Sequence, residues 1–328
     1  MSSDTYRPLD PVPEKFAGTS LSSSIKRAFH ATRPKFFPAS VLPVAAGTAW
    51  GAWYGAQFSW YVFVLALIAT VCVHAASNVL NDVGDDQIGT DGRNTGRIYP
   101  YTGGSRFIQT GILSPASMAR LGISLIAIAS LAGLALFFER GPTVIAFGII
   151  GILLGVLYSL GPVKLASLGL GEVAVGIAFG VLPVTGAAWL QGAPIDMALL
   201  LFSIPIGAWV KNILLINEVP DIKADGASGK RTFPVRFGLA ATANLYLAVN
   251  VAAVAVVVLL TVIGKLPLLA PLVPIGLLAL AFKAAAGIRG GPEDIETMTK
   301  SIEATLAIQA RKSGKAWTFP WPALPSSE

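Results

Sequence analysis

Two stretches of the chain carry one amide and two carboxylates at the same spacing: Asn78-x-x-x-Asp82-x-x-x-Asp86 and Asn217-x-x-x-Asp221-x-x-x-Asp225. Steps of four set such residues along one side of an α-helix. Each triplet stands where a long apolar segment gives way to a polar loop, and four of the chain's 18 acidic residues fall in the pair. A lone Asp-x-x-x-Asp is commonly an ordinary solvated face. A duplicated triplet with matching Asn, at the ends of two apolar helices, is not explained that way. Carboxylate and amide oxygens are hard ligands that suit Mg²⁺, which takes a few carboxylates and completes its shell with substrate phosphate oxygens. Arg93, Arg106, Lys164, Lys230 and Arg231 lie near the triplets. They would supply cationic donors to the far side of a diphosphate, or serve only as charges that orient the chain in a membrane.

The elements that must hold these groups are membrane helices. Of 328 residues, 54% are apolar and 13% charged, with a mean hydropathy of +0.66; a soluble domain carries about 25% charged residues. Apolar stretches near 36–56, 59–80, 117–138, 143–161, 169–190, 196–217, 240–263 and 266–286 each reach the ~20 residues that span a bilayer. They predict an all-α polytopic bundle of about eight or nine helices around a central cavity. Gly176-x-x-x-Gly180 permits close helix approach. The basic residues gather in alternate loops, so the positive-inside rule places the N-terminus and both acidic loops on the cytoplasmic side of the cell's inner membrane. The second triplet follows the first by four spans, as in a chain of two related halves.

Other classes are excluded. The net charge of +6 lies in those loops and orients the chain, so nucleic acid is not a partner. Cys72 has no partner for a disulfide, and with His30 and His74 it cannot build a zinc site; His74 is expected to pack between helices. No P-loop or dinucleotide fingerprint is present. The polar first 35 residues lack the apolar core of a cleaved leader. Residues 1–30 are expected to form a flexible tail, 31–290 the membrane domain, and 291–328 an interfacial helix or tail containing Trp317 and Trp321.

A diphosphate clamp inside an apolar bundle implies a donor with a polar head and a lipid tail, such as a polyprenyl diphosphate. Metal would neutralise the leaving group while the bundle keeps water from the allylic cation. Four blocks carry this further: Thr32-Arg-Pro-Lys-Phe-Phe-Pro38 with Gly47-Thr48; Asn78 through Asn81-Asp82, Asp85-Asp86 and Gly89-Thr90-Asp91 to Thr102-Gly-Gly-Ser-Arg106; Tyr158-Ser-Leu-Gly-Pro-Val-Lys164-Leu with Gly169-Leu-Gly-Glu172; and Asn217-Glu-x-Pro-Asp221-x-x-x-Asp225 with Gly229-Lys-Arg-Thr232 and Arg236-Phe-Gly238. In order and spacing they resemble the UbiA superfamily of intramembrane aromatic prenyltransferases, and most its dihydroxynaphthoate polyprenyltransferases of menaquinone synthesis.

The resemblance implies that Asn78, Asp82 and Asp86 form the first metal–diphosphate motif and Asn217, Asp221 and Asp225 the second, with Mg²⁺ held through the diphosphate. Asp85 and Asp91 match extra acids of the naphthoate branch. Lys164, Lys230 and Arg231 match basic positions near the diphosphate, and Tyr158 would orient acceptor or cation by its π face, or only pack. Glu172 is expected to pair with a lysine such as Lys164, or to bind the acceptor. The family has nine membrane helices where this chain offers eight apolar stretches. The implied reaction joins the prenyl group to 1,4-dihydroxy-2-naphthoate with loss of CO₂ and diphosphate. Other acceptors (homogentisate, hydroxybenzoate, a tetrapyrrole, a glycerol-phosphate lipid) and an ion-coupled transporter are the alternatives.

Overall fold

The apolar stretches become helices, and two of these helices are longer than their apolar parts. The computed structural model describes residues 10–55, 58–159 and 164–310. Residues 160–163 of the third block, and the stretch with Trp317 and Trp321, lie outside the described residues. Among the described residues the chain is helical, without a strand. The first half comprises α1 (Leu21–Ala31), α2 (Pro38–Tyr54), α3 (Trp60–Ile88), the single turn α4 (Thr90–Arg93), α5 (Pro115–Arg140) and α6 (Thr143–Ser159). In the second, α7 (Gly171–Gly176) and α8 (Leu182–Leu190) form one span through a π-turn at Ile177–Val181. There follow α9 (Met197–Ala227), α10 (Phe233–Val262), α11 (Leu272–Gly290) and α12 (Ile295–Ala310).

Six spans are long and apolar enough to cross a membrane: α3, α5, α7–α8, α9, α10 and α11. The apolar α6 and α2 are shorter, at 17 residues each. All eight expected stretches therefore coincide with helices. The largest difference is at the acidic segments. α3 has 29 residues and α9 has 31, about 45 Å of helix against a hydrocarbon core of ~30 Å. Both triplets thus lie within continuing helix, and α3 stops only at Gly89, whose left-handed φ of 74° suits a residue without Cβ.

α3 packs on α5, α9 on α10, and α2 on α8. The apolar exteriors of α5 and α10 remain uncovered, with Leu131, Phe138 and Val262 more than half exposed, as lipid-facing surfaces are. Gly207 of α9 sits against the π-turn; a Cβ there would lie 2.4 Å from the Gly176 carbonyl oxygen and 3.0 Å from Gly180 Cα. The Gly176-x-x-x-Gly180 spacing thus serves the close approach of α7–α8 to α9.

The stretch before α2 differs from the expected tail, and the helix expected among residues 291–328 packs on the bundle. Residues 10–31 do not hang as a tail: they carry α1, and Asp10 is buried on Arg97. Residues 295–310 form α12, which packs on α11, α9 and α2. Met298 and Ile302 of α12 are fully buried beside Tyr246 and Ile288. Gln309 Nε2 donates to the Pro38 carbonyl at 3.2 Å, so α12 reaches the beginning of α2. Its apolar content is low because small polar residues make the contacts: Ser301 lies over Gly287, and Thr305 Oγ1 is 2.8 Å from the Tyr246 hydroxyl.

Candidate active site

A cavity of about 720 Å³ runs down the bundle, polar at one end and apolar along the rest. On α3 its lining extends from Ala66 to Asp85, nineteen residues or about 28 Å of helix. The apolar portion is formed by residues such as Ala129, Leu136, Ile152, Phe179 and Leu190. At the polar end the two acidic segments face each other. Asn217, Asp221 and Asp225 all line it from α9, as expected.

The first segment is registered differently. The α3 residues that line the cavity are Asn78, Asn81 and Asp85, joined beyond Gly89 by Asp91 and Asn94. Asp86 turns away and accepts from Gln109 Nε2 at 3.2 Å. The same spacing keeps Asp225 on the cavity in α9, so a step of four does not by itself decide which acids face it. The pair matching Asn217 and Asp221 is Asn81 and Asp85, again four apart. The third acid is Asp91, because the chain turns at Gly89 and brings α4 back over the site. Asp82 lies just behind this face, 2% exposed. Its Oδ2 accepts from the Ser105 amide at 3.0 Å, while its Oδ1 has no hydrogen-bond partner.

The two segments are joined directly. Asn94 Nδ2 donates to Asp221 Oδ1 at 2.7 Å, and the Gly103 amide to Asp221 Oδ2 at 3.3 Å. Lys230 is returned to the site by the turn after α9, where its amide donates to the Asp225 carbonyl at 2.9 Å. Its ammonium lies 2.6 Å from Asp85 Oδ1 and 3.5 Å from Asp225 Oδ1. Burial by itself would favour the neutral amine, but the Asp85 and Asp225 carboxylates outweigh it and raise the lysine above its ordinary value. Asp91 is likewise raised, first by burial and then by the Asp85 and Asp82 charges, against Arg106 and Lys230.

The other expected cations do not line the cavity. Arg93 and Arg231 are exposed. Lys164, half-buried, opens the turn Leu165–Ser167. Arg106 is buried and donates through Nη1 to the Asp91 carbonyl at 2.5 Å, so it holds backbone. Sequence reasoning placed Arg33 in the Thr32–Pro38 block but gave it no role at the diphosphate. It lines the cavity with a left-handed φ of 58° and donates to the Tyr101 carbonyl at 3.2 Å. Asn94 was missed, since one polar residue in a loop has no period to reveal it.

Tyr158 lines the cavity, its ring packed near Gly171. Glu172 does not pair with Lys164. It is buried and accepts from the Phe233 amide at 3.1 Å, satisfying an open donor at the start of α10. His74 packs between Phe37 and Phe179 with Nδ1 2.6 Å from Ser40 Oγ, and it also lines the cavity.

Five carboxyl groups line the cavity among the described residues (Asp85, Asp91, Glu218, Asp221 and Asp225), against two cations, Arg33 and Lys230. Such an excess of buried negative charge calls for a cation. Several oxygens in this region lack hydrogen-bond partners, among them Asp82 Oδ1, Asp91 Oδ2, Asn94 Oδ1, Asn217 Oδ1 and Glu218 Oε2. A Cβ on Gly104 would lie 2.9 Å from both of the first two. Among the described residues, no three His, Cys, Asp or Glu side chains converge as a complete metal site. The donor set therefore fits a hard cation that takes some ligands from a substrate.

The model of the UbiA prenyltransferase family matches residues 40–296. The chain belongs to the UbiA prenyltransferase family. It is 33% identical over 261 residues to the 1,4-dihydroxy-2-naphthoate octaprenyltransferase of Mycobacterium tuberculosis, covering 79% of this chain and 85% of that one. With the enzyme of the same name from Haemophilus influenzae it shares 34% identity over 226 residues, 66% and 71% of the two chains. Among solved structures, a UbiA homolog from Archaeoglobus fulgidus bound to DMAPP and Mg²⁺ superposes with a TM-score of 0.65 at 18% identity, covering 86% of this chain and 99% of that one. This UbiA-family chain is thus an all-helical membrane prenyltransferase, and the transporter reading falls away.

Proposed function

We propose that this prenyltransferase joins the polyprenyl group of a polyprenyl diphosphate to 1,4-dihydroxy-2-naphthoate, in the cell's inner membrane with its polar site toward the cytoplasm. The observation that carries the reading is the convergence of Asp85, Asp91, Asp221, Asp225 and Lys230 at the one polar end of a long apolar cavity. The acceptor is supported by the names of the relatives, and the membrane orientation by the basic loops.

The diphosphate head would lie at the acids and the prenyl tail along α3, α5 and α6. Asn81, Asp82, Asp85, Asp91, Asn217, Asp221 and Asp225 would hold Mg²⁺ jointly with phosphate oxygens. When bound, the metal offsets the charge that builds on the leaving diphosphate. Lys230 and Arg33 donate to the same leaving group as the allylic C–O bond breaks. The apolar walls exclude water from the resulting cation, and the Tyr158 ring offers it a π face. The carboxyl-bearing ring carbon of the acceptor then forms the new C–C bond. Loss of CO₂ returns its electron pair to the ring, and the phenolic framework is restored at the quinol level. The product released is therefore the quinol form of demethylmenaquinone.

The deciding experiment supplies the purified enzyme with geranylgeranyl diphosphate, Mg²⁺ and a panel of acceptors. Carboxyl-labelled dihydroxynaphthoate should release labelled CO₂ in step with diphosphate. Product from homogentisate or hydroxybenzoate and none from dihydroxynaphthoate would refute the acceptor, leaving the prenyl transfer intact.

A further inference from the structure

Asp10 precedes the segment that matches the family, residues 40–296, yet it is 5% exposed. Its carboxylate receives a fork from Arg97: Nε donates to Oδ1 at 3.1 Å, and Nη2 donates to Oδ2. Arg106 Nε lies 4.0 Å from the same Oδ2. Both arginines are buried. A bidentate pair of this kind fixes orientation as well as charge. Arginine charges at such depth persist only when paired. The chain around Asp10 is also anchored. Phe16 meets Phe107 edge-on at 4.9 Å, and Lys26 and Arg27 of α1 donate to the carbonyls of Lys15, Phe16 and Gly18.

Each arginine passes this anchoring toward the acids. Arg97 Nη1 donates to the Asn94 carbonyl at 2.6 Å, and the Asn94 side chain donates to Asp221. Arg106 Nη1 donates to the Asp91 carbonyl at 2.5 Å, and Asp91 Oδ2 stands beside Asp82 Oδ1 across Gly104. One carboxylate therefore stands at the junction of two contact chains, one to each acidic segment.

We propose that Asp10 is a positioning residue of this enzyme: its buried pairing with Arg97 and Arg106 locks residues 91–106 over the polar end and so sets Asp91 and Asp221 for the metal and diphosphate. The proposal rests on the reading of the site given above. Asp10 touches no reacting atom and acts through the arginines.

The test uses the full chain in nanodiscs. Asp10→Asn should raise both the half-saturating Mg²⁺ concentration and the KM for geranylgeranyl diphosphate by about tenfold, the scale of one charge-assisted contact. The KM for the acceptor should stay within about twofold. Without metal or substrate, amide exchange across residues 91–106 should quicken by about tenfold or more while α10 is unchanged. Asp10→Glu should restore most of both effects. If Asp10→Asn fails to accumulate, the double variant Asp10→Ser with Arg97→Ser replaces it, since it leaves no unpaired buried charge between them. Unchanged Mg²⁺ dependence, or faster exchange in every helix alike, overturns the proposal. Asp85→Ala and Asp221→Ala are measured alongside. Should they keep full turnover, the reading of the site fails, while the exchange data still judge Asp10 on its own.

Discussion

The Lys230 ammonium lies 2.6 Å from the Asp85 carboxylate, so a cation from the second half of the chain pairs with an acid of the first. In the resting enzyme it takes part of the charge that a metal and diphosphate would otherwise balance. Lys230→Gln should therefore act in two directions. Mg²⁺ binding without diphosphate should tighten by about threefold, because a competing cation is gone, while the KM for prenyl diphosphate rises by about tenfold. Isothermal titration and steady-state kinetics on one preparation read both. Parallel weakening of both would assign Lys230 a structural role only.

Asp85 and Asp86 are neighbours with opposite surroundings, one lining the cavity and the other held by Gln109. Asp85→Ala should lower kcat/KM by about a hundredfold or more, on the scale of losing a charged group at the reacting diphosphate. Asp86→Ala should keep activity within about threefold. Equal losses would return the first motif to the Asn78, Asp82, Asp86 register.

Gly104 fills a place where a methyl group would intrude. Its φ is 75°, and a Cβ would come within 2.9 Å of Asp82 Oδ1 and Asp91 Oδ2. Gly104→Ala should leave the helices intact by circular dichroism and reduce turnover by about tenfold or more, with backbone strain of about 1–2 kcal/mol added by the left-handed conformation. Normal turnover would show that those oxygens do not need the space.

How far the sequence could be read follows from which signals are periodic. The eight apolar stretches were legible because spanning a bilayer demands length and composition, and the Gly176–Gly180 approach because close packing demands small residues. The convergence of two acidic segments was legible from their duplication. The register of the first was not: the same spacing keeps Asp225 on the cavity and leaves Asp86 on Gln109, and Asp91 comes to the cavity through the turn at Gly89. Arg33, Asn94 and Asp10 each act as single side chains in irregular backbone. A helix after residue 291 was among the expectations but its burial was not, since Ser301 and Thr305 make it look polar while they pack on Gly287 and Tyr246.

Gly133 tests the proposed place of the prenyl tail. It lines the cavity, and a Cβ there meets nothing within 4 Å. It lies eleven residues along α5 from Gly122, which packs on Leu80, and so about 16 Å from the level of Leu80, with Asp85 more than a turn farther along α3. Gly133→Trp should preserve turnover of geranyl diphosphate and depress that of octaprenyl diphosphate by about tenfold, a steric cost of about 1–3 kcal/mol on the longer donor only. Equal effects on both donors would place the tail elsewhere.

Gly207→Ala bears on the frame. Its Cβ would stand 2.4 Å from the backbone oxygen of Gly176, an atom that cannot swing aside. Unfolding in detergent should show a loss of about 1–3 kcal/mol, as overpacking costs. An unchanged midpoint would mean that α7–α8 and α9 separate with ease.

α12 meets α2 through Gln309 and Pro38, and fills a seam between helices made early and late in synthesis. A ribosome must deliver the other eleven helices before the piece that joins them. Until then Tyr246 and Ile288 lack their partners on α12. A chain cut before α12 would therefore expose Met298's and Ile302's partners Tyr246 and Ile288 and would leave the start of α2 without its bond from Gln309.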